Sequence, residues 1–98
     1  MTLEQAKKRI SQHSEDLRKE FHIEALYLFG SIVSNQRLTP PGDIDILVEF
    51  SSSVGLFDFV KLRDRLQEIL KTDVDLVTRD GLKEWMKESI EKDLVRAA

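Results

Sequence analysis

The chain's 98 residues suffice for one compact domain and not two, and a core of that size leaves little apolar surface for a deep, enclosed active site. A formal net charge of −3 argues against a sequence-independent grip on DNA or RNA, which relies on clustered Lys and Arg, yet it admits an anionic nucleotide brought in by a metal. The absence of cysteine excludes disulfides, zinc–thiolate sites and thiol nucleophiles.

The N-terminal stretch MTLEQAKKRI lacks the apolar centre of a signal peptide, and no apolar run is long enough to span a bilayer. The expected setting is the cytoplasm. Thr2 and Gln5 stand at capping-box spacing, and Leu3, Ala6, Ile10, Leu17 and Phe21 recur on one helical face. This pattern predicts a helix over residues 3–20, with His13 on its stripe as a partly buried histidine rather than a metal ligand. Residues 25–29, short, apolar and aromatic, predict a buried strand that Gly30 and Ser31 end.

A short helix is expected over residues 31–36. LTPPG cannot continue it, because proline lacks the amide donor and clashes with the preceding turn. Residues 43–50 predict a second strand and SSSVG a loop. Phe59, Val60, Arg63, Leu66, Ile69 and Leu70 then recur at helical spacing up to Lys71. DVDLVT, residues 73–78, predicts a third strand. Leu82, Trp85, Met86, Ile90 and Leu94 mark a last amphipathic helix or pair of helices. Leu56, Phe57, Trp85 and Met86 are each expected in the core, although they are also candidates for contact with a partner. Helices alternating with strands, without repeat or linker, make this an α/β domain.

The second strand poses the chemical question. Side chains alternate across a strand, so Asp43 and Asp45 point one way, with Cα atoms about 6.5–7 Å apart, and Ile44, Ile46 and Val48 the other. Two neighbouring carboxylates repel, and the arrangement makes sense if a cation sits between them. Asp73 and Asp75 repeat the pattern on the third strand. Asp73 is expected at the exposed edge, and Asp75 is placed to complete a three-carboxylate cluster if the strands are neighbours. Oxygen-only ligands select Mg²⁺ or Mn²⁺. Two such ions about 3.5–4 Å apart can bind the phosphates of a nucleoside triphosphate and lower the pKa of an attacking hydroxyl. Gly30 lets backbone approach a phosphate, and Ser31 at a helix start offers a hydroxyl and amides. An isolated D-x-D usually marks a solvated strand end. Joined to a Gly-Ser turn and a later carboxylate on another strand, it is harder to dismiss.

LFGS, then DIDILVEF, then VDLVTRDGLK together resemble a minimal nucleotidyltransferase of the DNA polymerase β superfamily. More narrowly, the chain resembles the small MNT-type antitoxins encoded beside HEPN-domain RNase toxins. The likeness runs from about Leu26 to about Lys83, and the length suits a bare catalytic domain over residues 1–98. It implies a mixed β-sheet flanked by helices, with Asp43, Asp45 and Asp75 as ligands of two Mg²⁺ ions and Asp75 placed to activate the acceptor hydroxyl. It implies that Gly30 and Ser31 hold the phosphates of ATP. The implied activity is transfer of AMP to a tyrosine of a partner HEPN toxin, with neither nucleic acid nor membrane as a direct partner. The family continues its Gly-Ser with an Ala-Arg-Gly-like stretch, whereas Ile32, Val33, Ser34 and Asn35 stand here, leaving Arg37 as the candidate basic residue. Gly42 also stands where a serine usually precedes the first aspartate. An antitoxin that neutralises by binding alone therefore stays open beside the enzyme.

Overall fold

A computed structural model describes residues 1–38 and 42–98. Pro40 and Pro41, expected to end any helix, lie outside the described residues, as does Thr39. The Thr2–Gln5 capping box forms in both directions and opens α1, Leu3–Gln12. The single helix expected over residues 3–20 is two, because α2 begins at Ser14 and runs to Phe21 after a break at His13 (φ −107°, ψ 8°). The break falls where the apolar stripe lapses. Ile10 and Leu17 are buried, but the turn between them carries only polar residues, so nothing fastens it to the core. His13 is accordingly exposed rather than partly buried.

Strand β1 (Ile23–Phe29) leads through Gly30 to the short helix α3 (Ser31–Ser34), and β2 follows at Ile44–Phe50. Helix α4 (Leu56–Leu70) buries Leu62, Leu66 and Leu70 and returns the chain to β3, Val74–Thr78. A 3₁₀ turn at Arg79–Gly81 precedes α5, Glu84–Asp93. A two-residue strand that the sequence pattern does not announce, β4 at Val95–Arg96, then pairs with β1.

The four strands form one mixed sheet in the order β3-β2-β1-β4, with β2 and β3 parallel and the other pairs antiparallel. Strand alternation sorts its two faces. Leu26, Leu28, Ile44, Ile46, Val48, Val74 and Leu76 share the main core with the buried residues of α1 to α4. Phe29 and Leu47 pack with Leu82 on the opposite face, where Tyr27, Val77, Ile90 and Leu94 add half-buried apolar cover. Burying these side chains is the principal stabilising term. Three of the residues expected in the core are not there: Leu56, Phe57 and Trp85 are 78%, 86% and 76% exposed. Leu56 and Phe57 open α4 and Trp85 is second in α5; apolar character alone puts the first two in the core, and helical spacing puts Trp85 there. Met86 is half-buried. Among the described residues no helix is long and apolar enough to cross a membrane.

Candidate active site

The sheet's second face carries the acidic residues. Asp45 sits second in β2 and Asp75 second in β3, and the parallel register sets them directly beside each other. Across the antiparallel pairing Asp45 is opposite Phe29, the last residue of β1. Asp45 is therefore flanked by an aromatic residue on one side and a carboxylate on the other, and it is half-buried. Burial, then the charges of Asp75 and Asp43, push its carboxyl up from 3.8 to about 6. Desolvation disfavours the charged form and like charges add to it.

Gly30 makes the second link. Its backbone (φ 76°, ψ −149°) lies in a region that only glycine adopts without strain. The Asp45 carboxylate also lies against its open side: a β-carbon at position 30 would overlap Oδ2 and stand 3.0 Å from Cγ. The Gly-Ser turn and the D-x-D strand thus meet at one point. The Gly30 carbonyl accepts the amides of Val33 and Ser34 at 3.1 and 3.0 Å, which closes α3 and leaves Ser31 exposed at its first position. The earliest amides of a helix have no partner within it.

Asp43 and Asp75 are exposed, and Asp43 stands just before β2 rather than in it. Asp73, expected at the edge, is exposed, and its carbonyl accepts the Ile44 amide at 3.0 Å. Among the described residues no three side chains close into a cage for a cation. The raised carboxyl of Asp45 reflects its burial first and the neighbouring charges of Asp75 and Asp43 second. The donor set is oxygen only, which suits a hard cation.

The Arg37 backbone pairs with Thr2, and among the described residues its side chain forms no ion pair with Asp43, Asp45 or Asp75. A cleft of about 600 Å³, lined by Glu24, Glu49, Phe50, Thr78 and Arg79 among others, opens at the far end of β2 and β3. The paired acids and the glycine approach make the carboxylate end the candidate site, whereas Arg79 in the cleft is engaged by Glu49 at 2.6 Å and by Glu91. Gln67, with no signal in the pattern because a polar residue near a helix end reads as solvated, accepts the Val74 amide at 3.1 Å through its side chain.

Residues 10–97 match the nucleotidyltransferase domain family. The chain belongs to that family. Protein adenylyltransferase MntA of Thermococcus cleftensis is 30% identical over 95 residues, covering 97% of this chain and 95% of the relative. A solved structure provisionally described as a minimal nucleotidyltransferase superposes with a TM-score of 0.79 at 25% identity, over 97% of this chain and 95% of that one. A chain from the complex of tri-AMPylated Shewanella oneidensis HEPN toxin with MNT antitoxin shares the fold, with a TM-score of 0.67 at 21% identity over 95% of this chain and 71% of that one. The expected mixed sheet and flanking helices are thus those of the minimal nucleotidyltransferase fold.

Proposed function

We propose that this member of the family is a Mg²⁺-dependent adenylyltransferase that moves AMP from ATP to a hydroxyl of a HEPN-type toxin, a tyrosine by the resemblance, and so acts as its antitoxin. The observation that carries the reading is the side-by-side register of Asp45 and Asp75 against the open face of Gly30. A related protein adenylyltransferase aligned over nearly the whole chain supports the donor and the kind of acceptor, and a fold shared with the MNT antitoxin of an AMPylated toxin complex supports the partner.

In this reading Asp43, Asp45 and Asp75 hold two divalent ions, Mg²⁺ or Mn²⁺. When bound, those ions neutralise the triphosphate and the departing pyrophosphate. Gly30 lets its backbone approach the phosphates, and Ser31 adds a hydroxyl at the start of α3. Asp75, exposed beside Asp45, takes the proton of the acceptor hydroxyl. The hydroxyl oxygen bonds to the α-phosphorus, the bond from that phosphorus to the bridging oxygen breaks, and pyrophosphate leaves with the electron pair. The site is open to solvent, which suits a protein acceptor that brings its own surface. Arg37 is assigned to the phosphates, and the enzyme works in the cytoplasm as one catalytic unit over residues 1–98.

The test is label transfer from ATP labelled at the α-phosphate, in cell extract or with a purified partner, beside Asp43→Asn, Asp45→Asn. A labelled protein that the double variant fails to produce supports the enzyme. A partner captured equally by both versions, with no label, points to the binding-only antitoxin, which the changed segment after Ser31 favours.

A further inference from the structure

Asp75 stands near the start of a short strand at the open edge of the sheet, beside another carboxylate. Like charges in direct register destabilise a strand pair, and an edge strand has a partner on one side only. Something must keep this end of β3 in place. On the inner side the Asp73 carbonyl accepts the Ile44 amide at 3.0 Å. In this parallel ladder residues 73 and 75 bond inward, so the Val74 amide points to the free edge. There it meets Gln67 Oε1 at 3.1 Å, a partly buried bond that reaches from α4 across seven residues of chain.

We propose that Gln67 is a positioning residue for Asp75. With the Ile44 bond it clamps the two residues before Asp75 from both edges and holds its carboxylate in register with Asp45. The proposal rests on the adenylyl-transfer reading for its effect on rate, but the clamp itself can be tested without turnover. Gln67→Met keeps the length and helix propensity and removes the acceptor. Gln67→Glu keeps an acceptor oxygen.

The decisive experiment is amide hydrogen exchange by NMR beside AMP transfer at varied ATP and Mg²⁺. Q67M is expected to exchange the Val74 amide much faster than wild type while Ile46 and Leu47 stay protected. It should lower kcat about ten- to a hundredfold, the usual cost of losing a supporting contact behind a metal ligand, raise the Mg²⁺ needed for half-maximal rate, and leave KM for ATP nearly unchanged. Q67E should recover both the protection and the rate. Wild-type kcat and Mg²⁺ dependence in Q67M, despite an unprotected Val74, overturn the proposal. So does loss of protection throughout Q67M, or a Q67E that protects Val74 without restoring the rate. A wild-type chain that transfers no AMP defeats the enzymatic reading instead, and the exchange measurement then still decides whether the clamp exists.

Discussion

Asp45 and Asp75 are neighbours in register on two parallel strands, and burial, with the charges of Asp75 and Asp43 added to it, raises the Asp45 carboxyl from 3.8 to about 6. A carboxyl raised on folding binds its proton more tightly in the native state. Its contribution is therefore full at low pH and is lost as pH rises from about 4 through 6. Asp45→Asn removes the penalty, so it should be more stable than wild type at pH 7.5 and equal to it near pH 4. Because Asp45 is half-exposed, solvent screening reduces the gain to about 1 kcal/mol, or about 4–8 °C in Tm for a domain of this size. Thermal melts of both proteins across this pH range check it; a gap that widens toward low pH contradicts it.

Divalent cation should reverse that order. Ligand that binds only the folded state stabilises by mass action, about 2.7 kcal/mol at a hundred times Kd. Wild type is expected to melt progressively higher as MgCl₂ is added and to return to its starting point with a chelator. Asp45→Asn should show little response, and titration melts with both proteins would expose an equal response in the two.

Gly30→Ala combines two faults, a backbone conformation closed to alanine and a methyl group inside the Asp45 carboxylate. The strained backbone alone costs about 1–3 kcal/mol, and relief by displacing Asp45 breaks the site. Urea unfolding followed by circular dichroism should show a loss of at least about 1 kcal/mol, with AMP transfer lost as well. Wild-type activity in this variant would separate Gly30 from the chemistry.

Arg37→Ala addresses the residue assigned to the phosphates. If its side chain reaches them, the loss falls on substrate binding, with KM for ATP up about tenfold for one charge-assisted contact and kcat unchanged. Steady-state kinetics decide; an unchanged KM removes Arg37 from the site.

Exposure separates Trp85 from Leu66. Trp85→Ala is expected to change stability by less than about 0.5 kcal/mol, whereas Leu66→Ala, fully buried on α4, should cost about 2–5 kcal/mol. Denaturant midpoints measured side by side would reveal a buried role for Trp85 as a loss comparable to that of Leu66.

Much of this molecule is local physics written into the sequence. The capping box at Thr2 and Gln5, the 2-residue alternation in DIDILVEF and DVDLVT, and the glycine ending β1 each depend on neighbours a few positions away, so residue order alone determined them. Residue order also put two carboxylates two positions apart at the start of the second strand, an oxygen-only donor set of the kind a hard cation takes. The ends of α2 and α4 were legible to within one residue, although both helices close on His22 and Lys71 in left-handed conformations (φ 55° and 56°) where glycine is the usual signal; the break at His13 was not. The outward side of Trp85 and Phe57 depends on which way a helix is rolled against the sheet, which a periodic stripe only approximates. Only the tertiary structure decided that β3 lies beside β2 in the register that joins Asp75 to Asp45, that Gly30 meets that carboxylate, that β4 closes the other edge, and that Gln67 reaches Val74. Each is a contact between segments whose pairing is chosen by the packing of the whole core, and no short window of sequence contains it.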